Sequence, residues 1–230
     1  MAQNLLTPAL NVFEQMALDD VLAHAAGSEP VIRFYHWTDG PAVTFGYSQF
    51  FASVHQQVTK QQGPLCRRPT GGGMVFHGMD LTFSLVCESA LRPTEIYAQF
   101  HATIEKFLWQ AGLLQSVRQG EVSVDRYAPQ QNGVANGCFA NPVQDDLLAG
   151  GHKILGGAIR RFDKRILYQG SLQCVGARTN PSFRRAVSAA AAAWLGVSFH
   201  TQPVLPEVLS QAKALAVNQY QTRDWTEKFL

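Results

Sequence analysis

Charge is scarce in this sequence, and long apolar runs are missing from it. Charged residues make up 16% of the 230 residues, and the formal net charge of +2 is too small to indicate nucleic acid as a bulk electrostatic partner. No apolar run approaches the ~20 residues that a membrane-spanning helix needs. The first residues also lack the basic start and apolar stretch of a signal peptide. We therefore expect a cytoplasmic protein that binds neither nucleic acid nor a membrane.

The four cysteines form no C-x-x-C pair, which argues against a zinc site or a thioredoxin-like redox pair. We accordingly expect no metal site and, in a cytoplasmic protein, no disulfide. Cys87 and Cys174 lie in β-like apolar runs, and we assign both to the core. Cys66 adjoins two arginines and is either a buried apolar residue or a reactive thiol. Cys138 lies in a polar loop predicted over residues 132–141.

The sequence also lacks internal repeats and low-complexity linkers, so we expect a single domain over residues 1–230. Hydrophobic and turn patterns predict helices over residues 12–26, 93–114, 183–195 and 206–220, and strands over residues 31–37, 42–46, 74–76, 81–86, 154–159 and 166–173. The first four strands are predicted to form two hairpins, and the last two strands to pair. Because a regular β-α-β rhythm is missing, we predict an α/β (α+β) fold with a mixed, largely antiparallel sheet flanked by helices.

Residues 67–77, which read RRPTGGGMVFH, hold the most informative pattern in the chain. A run of glycines is favoured where side chains would obstruct a ligand or where φ must be positive. Behind Arg67 and Arg68, the run indicates a backbone that closely approaches an anionic or extended ligand. The alternative is a hairpin turn with surface arginines. No Lys-Ser/Thr pair follows the glycines, and they do not show the spacing of a dinucleotide-binding loop.

The same segment resembles the R-R-x-T-G-G-G-x-V-F-H signature of the lipoate-protein ligase and octanoyltransferase family. Residues 16–20 resemble the first-helix motif of that family, and residues 34–49 its following hairpin. Residues 152–158 are similar to the K-I-x-G-x-A motif that carries the essential lysine, here Lys153. The motifs keep the order and spacing of the family over most of the chain.

This resemblance implies a catalytic domain of the biotin and lipoate ligase type, related to class II aminoacyl-tRNA synthetases. It also implies acyl transfer to a lysine of a lipoyl-domain or glycine-cleavage H-type carrier protein. Single-chain lipoate ligases usually have a further C-terminal domain that takes part in adenylation. This sequence ends about where the catalytic domain should end, so we expect no such accessory domain. A separate accessory subunit remains the alternative.

Two mechanisms occur in the family. Residues 137–142 resemble the C-F-x-x-P segment that carries the nucleophile of one octanoyltransferase branch. This implies that Cys138 accepts an octanoyl (or lipoyl) group, from acyl carrier protein or from a lipoyl carrier domain, as a thioester. That reaction needs no cofactor. The alternatives are a ligase that uses ATP and Mg to form lipoyl-AMP, and a carrier-binding module without catalysis. Cys138 itself is alternatively a small apolar residue packed under its loop.

The resemblance also implies roles for further residues. Lys153 is expected at the reacting carbonyl, where it would stabilise the charge of the tetrahedral intermediate; alternatively it is a surface lysine. The glycines are expected to approach the acyl group, and the arginines to bind a phosphate or an acidic carrier surface unless they form a solvated basic patch. The expected substrate-binding residues are Arg67, Arg68, Thr70, Gly71, Gly72, Gly73, His77, Gly156, Gly157 and Ala158. For His77, the alternative to substrate binding is a purely structural role.

Overall fold

A computed structural model describes residues 1–25, 27–38, 40–58, 63–114, 145–149 and 152–229. The strands are β1 (Gln3–Leu6), β2 (Val31–Phe34), β3 (Ala42–Phe45), β4 (Leu65–Arg67), β5 (Val75–His77), β6 (Leu81–Glu88), β7 (Leu147–Ala149), β8 (His152–Phe162), β9 (Arg165–Leu172) and β10 (His200–Pro203). The helices are α1 (Val12–His24), α2 (Phe51–His55), α3 (Pro93–Gln110), α4 (Pro181–Leu195), α5 (Pro206–Leu215) and α6 (Arg223–Thr226). None of the helices in these ranges is both long and apolar enough to span a bilayer.

Seven of these strands form one large sheet in the order β10-β1-β2-β6-β9-β8-β7. The pairs β10–β1 and β1–β2 are parallel, and the other four pairs are antiparallel. The predicted mixed, largely antiparallel sheet is therefore confirmed, as is the pairing of the last two predicted strands, β8 and β9.

The two hairpins predicted nearer the N-terminus are wrong. β2 and β6 belong to the large sheet, whereas β3 and β5 belong to a second sheet with the order β4-β3-β5. After β2 and again after β5, the chain crosses from one sheet to the other. Strand periodicity alone cannot reveal this crossing, because it specifies which side chains share a face and not which strand lies alongside. The consequence is a space between the two sheets.

Helices cover both faces of the large sheet. On β6, Phe83 and Leu85 pack with α3 and α4, while Val86 packs with α1 and α5, which follows from the alternation of side chains along a strand. Helix α1 begins with a capping box, in which the Asn11 side chain accepts from the Glu14 backbone N–H at 3.0 Å and the Glu14 carboxylate accepts from the Asn11 N–H.

Two predicted helix ends are corrected by the structure. The helix predicted over residues 93–114 ends at Gln110, and Gly112 follows it with a φ of 72°. A left-handed glycine of this kind terminates a helix because its carbonyl groups can then be satisfied by a turn. The helix predicted over residues 206–220 is α-helical only to Leu215 and finishes as a π-turn over Ala216–Tyr220.

A fully buried ion pair joins α1 to the large sheet. Arg33 of β2 donates to the Asp19 carboxylate of α1 through Nε at 2.7 Å, and both side chains are completely buried. The same carboxylate accepts from the hydroxyl groups of Ser84 and Tyr35 and from the side-chain amide of Gln169. A buried pair is retained only when further hydrogen bonds compensate for its lost hydration, as they do here.

Removing one member of this pair should destabilise the fold strongly. We expect Asp19→Ala to lower the free energy of unfolding by about 3–5 kcal/mol, because Arg33 would be left buried without a counter-ion. Urea unfolding followed by circular dichroism measures this change. Glu227→Ala, which breaks the exposed Arg223–Glu227 pair, should leave the free energy unchanged within experimental error. Equal effects of the two substitutions would contradict the assignment.

Candidate active site

A narrow cavity of about 30 Å³ lies between the two sheets. Its lining residues come from α1, from both sheets and from the loops between them: Met16, Tyr35, Thr44, Arg68, Val75, His77, Thr82, Gly156, Gly157, Ala158, Gln169, Gly170 and Ser171. Five of the residues predicted to bind substrate are in this set: Arg68, His77, Gly156, Gly157 and Ala158. Glycine, alanine, valine and methionine give much of the wall an apolar character suited to an aliphatic chain.

The glycine loop predicted from the signature is held by Arg68, which lines the cavity, whereas Thr70, Gly71, Gly72 and Gly73 do not line it. The Arg68 guanidinium is buried and donates to the carbonyl oxygens of Gly71 and Gly73 at 2.7 and 2.8 Å. Gly72 has a φ of 84°, and its carbonyl oxygen would lie 1.8 Å from a Cβ on Gly46. Gly46 is therefore required for the close approach of this loop, and Gly72 for its left-handed turn.

Arg67 lies in a different environment from Arg68. Its side chain is fully buried, and its guanidinium donates to the carbonyl oxygens of Tyr47 and Gln49 on one side and of Trp225 and Thr226 on the other. The basic-patch alternative is thus wrong for both arginines, since neither is on the solvated surface. These contacts give Arg67 a structural role, and Arg67 does not line the cavity.

Thr70 connects the loop to the buried ion pair through Gln169, a residue that the sequence patterns did not single out. The Thr70 hydroxyl donates to Gln169 Oε1 at 2.5 Å, and Gln169 Nε2 donates to Asp19 at 2.7 Å. Gln169 is buried in β9 and also lines the cavity. A glutamine inside an otherwise apolar strand was the available signal, because a buried polar side chain requires hydrogen-bond partners.

His77 belongs to a polar network on one wall of the cavity. Its Nδ1 lies 2.9 Å from Asp80 Oδ2, and its Nε2 lies 2.8 Å from the Thr44 hydroxyl, which also accepts from Arg68 at 2.9 Å. Since a carboxylate only accepts, Nδ1 carries the hydrogen that faces Asp80. Asp80, which sequence analysis also missed, accepts from the hydroxyl of Ser171 as well. His77 is therefore linked through Thr44 to Arg68, which holds the glycine loop, and it also lines the cavity.

Lys153 is buried, so the alternative of a surface lysine is wrong. Its Nζ lies 2.7 Å from the Asp146 carboxylate, and both side chains are at most 3% exposed. A Cβ on Gly156 would lie 2.1 Å from Lys153 Cε and 2.5 Å from Nζ. The missing side chain of Gly156 therefore leaves the space that the lysine amine occupies; Gly156 lines the cavity, whereas Lys153 does not. Asp146 is a further partner that sequence reasoning missed.

Gly157 makes room for the ring of Tyr168 in the same way. Two ring carbons of Tyr168 and its hydroxyl oxygen would each lie 2.5 Å from a Cβ on Gly157. The Tyr168 hydroxyl in turn lies 2.8 Å from His101 Nε2. The space beside Gly156 and Gly157 is thus occupied by two protein side chains, those of Lys153 and Tyr168.

The described cysteines are not placed for nucleophilic chemistry. Cys66 and Cys87 are fully buried, and burial raises the pKa of both thiols, that of Cys87 to about 12. Cys174 is half-buried against the core, and burial raises the pKa of its thiol to about 11. The core assignment of Cys87 is confirmed, and Cys66 is resolved as a buried residue. Cys138 and its predicted loop lie outside the described residues.

The Asp80 network makes stability depend on pH. Burial raises the pKa of Asp80, but the facing His77 and hydrogen bonds from His77, Thr82 and Ser171 more than offset burial and lower the pKa to about 2. Because this pKa is depressed below its unfolded value of about 3.8, ionised Asp80 stabilises the folded state above pH ~4, and this contribution is lost as the pH falls toward 2.

We expect Asp80→Asn to remove about 2 kcal/mol of this pH-dependent stability, measured as the difference in unfolding free energy between wild type and variant. A difference that stays constant from pH 5 to pH 2 would contradict this.

Comparison with known proteins agrees with this geometry. Residues 11–191 match the lipoyl protein ligase A/B catalytic domain family. The octanoyltransferase LipM of Symbiobacterium thermophilum is 34% identical over 167 residues, which cover 69% of this chain and 60% of that protein. The chain therefore spans about three fifths of the length of the curated relatives that it matches.

Solved structures share the fold over the whole chain. A T. acidophilum protein described as a lipoate protein ligase, solved with bound lipoic acid, superimposes with a TM-score of 0.74 at 21% identity and covers 99% of both chains. A bi-partite lipoate protein ligase solved in a study with its E2 lipoyl domain, from Thermoplasma acidophilum, gives a TM-score of 0.71 at 19% identity, over 100% of this chain and 96% of that chain. The fold, the signature loop, the buried Lys153 and the family match together show that this chain belongs to the lipoyl protein ligase A/B catalytic domain family.

Proposed function

We propose that this protein transfers an octanoyl group from acyl carrier protein to a lysine of a lipoyl carrier domain, through a thioester on Cys138. The observation that carries the proposal is the buried Lys153 amine of the family motif, which is held by Asp146 and lies beside Gly156, a residue that lines an apolar cavity. Curated relatives named octanoyltransferase LipM support the reaction type. The C-F-x-x-P match at Cys138 supports the covalent route.

The lining of the cavity suits an aliphatic acyl chain, because glycine, alanine, valine and methionine form much of it. The open space of about 30 Å³ holds only about two water molecules, so lining side chains must move to admit the acyl chain. Each methylene group that leaves water for such a wall contributes about 0.8 kcal/mol to binding. An octanoyl and a lipoyl group both have an eight-carbon backbone, so the cavity supports the acyl class and does not separate these two substrates.

The reaction consists of two balanced acyl transfers. The Cys138 thiolate attacks the carbonyl carbon of the octanoyl thioester, a new C–S bond forms, and the carrier thiolate leaves and takes up a proton. The neutral amine of the acceptor lysine then attacks the enzyme thioester and gives up one proton to water; an amide bond forms, the C–S bond breaks, and Cys138 is released as a thiolate. A thiolate is both a good nucleophile and a good leaving group, which makes each step easier than direct transfer.

Lys153 would act on the charge that develops in both steps. The carbonyl oxygen becomes an oxyanion in each tetrahedral intermediate, and an ammonium group already fixed nearby stabilises it without further reorganisation. Its ion pair with Asp146 holds the amine beside Gly156. We propose no cofactor for this route, since the donor thioester already carries the energy that ATP supplies to a ligase.

The proposed acceptor is a lipoyl domain or an H-type carrier protein, and the proposed donor is acyl carrier protein. A structural relative was studied with an E2 lipoyl domain, which supports an acceptor of that kind. The target lysine must enter the cavity between the sheets, so the acceptor has to present it on an exposed turn.

The covalent step is tested directly by intact-protein mass spectrometry. Incubation with octanoyl-acyl carrier protein should add one octanoyl group to the wild type and none to Cys138→Ser, because the thiol is the acceptor. Cys174→Ser, which changes a half-buried cysteine, should still form the adduct. Absence of an adduct, combined with product formation that requires free lipoate and ATP, would instead establish a ligase.

The placement of Lys153 is tested by Gly156→Ala. The new methyl group would overlap Lys153 Cε and Nζ, which lie at the end of a flexible side chain, so the lysine should move while the fold is kept. We expect the rate of octanoyl transfer to fall roughly tenfold or more, since small displacements of catalytic groups are costly. Gly40→Ala, where a Cβ meets no atom within 4 Å, is the matched control. Unchanged transfer by Gly156→Ala would refute this placement.

A further inference from the structure

The carboxylate that holds Lys153 lies on a segment with an unusual backbone. Asp145, immediately before Asp146, has a φ of 68°, in the left-handed region that residues other than glycine rarely adopt. Such a conformation persists only when its surroundings fix it. Asp146 and Lys153 are nearly completely buried, so a shift of this segment would carry the carboxylate away from the lysine amine.

His101 of α3 fixes the segment. It is buried, and its Nδ1 lies 2.7 Å from the carbonyl oxygen of Asp145. A carbonyl oxygen only accepts, so Nδ1 carries the hydrogen and donates it. On a neutral ring, Nε2 then has a free lone pair, and it accepts from the Tyr168 hydroxyl 2.8 Å away. Both ring nitrogens are thus hydrogen-bonded, and the two hydrogen bonds require the same tautomer of His101, with the hydrogen on Nδ1.

Tyr168 is itself held rigidly. Its ring lies where a side chain of Gly157 would be, and it packs edge-on against Phe100 at 5.1 Å between ring centroids and beside Phe83 at 5.8 Å. The hydroxyl therefore cannot leave His101 without disturbing the core between the large sheet and α3. An uninterrupted series of contacts runs from this core through His101 to the Asp145 carbonyl.

The charge state of His101 favours the same arrangement. Burial lowers its pKa to about 4; the hydrogen bond to the Asp145 carbonyl opposes this, and the charge of Lys153 adds to it. The groups that face the ring are the Tyr168 hydroxyl from β9, Lys153 from β8, the Asp145 carbonyl, and Tyr97 from its own helix. At neutral pH the ring is uncharged, so it does not compete with Lys153 for Asp146.

We infer that His101 is a positioning residue for Lys153, acting through the Asp145 carbonyl and the Asp146 carboxylate, with Tyr168 fixing its tautomer. This inference rests on the proposed function in so far as Lys153 acts on the acyl group. It does not require His101 to touch the substrate, and none of the sequence motifs includes this residue.

Two substitutions separate the two contacts of His101. Asparagine places an amide N–H near the position of Nδ1 and can still donate to Asp145, whereas glutamine places its amide near Nε2 and leaves the Asp145 carbonyl without its donor. Tyr168→Phe removes the hydroxyl that donates to Nε2, so the His101 ring is no longer held in one tautomer. We expect His101→Gln to reduce kcat for octanoyl transfer roughly ten- to a hundredfold, with the KM for the carrier changed less than about twofold. His101→Asn should retain most of the rate, and Tyr168→Phe should be intermediate.

A second measurement does not depend on transfer. Lys153 labelling by an amine-reactive acetylating reagent, quantified by peptide mass spectrometry, reports how well the lysine is held. Lys153 is nearly inaccessible, and the exposed Lys106 of α3 is an internal reference. The ratio of Lys153 to Lys106 labelling should increase at least about fivefold in His101→Gln at a temperature where the variant remains folded, because a displaced ammonium loses its ion pair and its cover.

The outcomes distinguish this inference from the proposed function. If the wild type transfers octanoate and His101→Gln matches it in both kcat and labelling, His101 does not position Lys153. Equal losses in His101→Asn and His101→Gln, with equal falls in Tm and unchanged labelling ratios, would show a purely structural histidine. If even the wild type shows no transfer, the proposed function fails, and the labelling ratio still decides whether His101 holds Lys153.

Discussion

The carboxylate of Asp19 is the constraint on which much of this structure depends. It neutralises the buried Arg33 and accepts hydrogen bonds from Tyr35, Ser84 and Gln169. A carboxylate in a dry interior is tolerated only when nearly all of its acceptor sites are used, so each of these partners must be in place at once. One side chain thereby sets the relative position of α1 and three strands of the large sheet. Through Gln169 and Thr70, it also helps to fix the position of the glycine loop.

The cavity results from the way the chain divides its strands. Because consecutive strands enter different sheets, two layers face each other across a gap that a simple pair of hairpins would have closed. Glycines then determine which neighbouring groups can pack closely around this gap. Gly46 lets the loop backbone approach, and Gly156 and Gly157 admit the Lys153 amine and the Tyr168 ring. The shape of the site therefore depends on the space that glycines leave as much as on side chains with reactive groups.

The sequence was informative where a local pattern determines the structure. The pairing of β8 with β9, the existence of α1 and α3, and the family of the signature loop were all correctly predicted from patterns within a few residues. The assignment of β2 and β3 to one hairpin was wrong because strand partners are chosen by contacts that are distant in sequence. For the same reason Gln169, Asp80, Asp146 and His101 could not be assigned: each is a single polar residue whose role depends on a partner brought close only by folding. Cys138, on which the choice of chemistry depends, has no structural test within the described residues.

The contacts of Arg67 have a consequence for how this protein is made. Its guanidinium binds carbonyl groups of Tyr47 and Gln49 and also those of Trp225 and Thr226, which follow it by 158 and 159 residues. Synthesis proceeds from the N-terminus, so the base of the glycine loop stays incompletely satisfied until residues 225–226 leave the ribosome. Contacts so distant in sequence also form late in folding, because closing a long loop is entropically costly. Although Arg67 and the glycine loop are synthesised early, their arrangement is thus completed by α6, an element near the far end of the described chain.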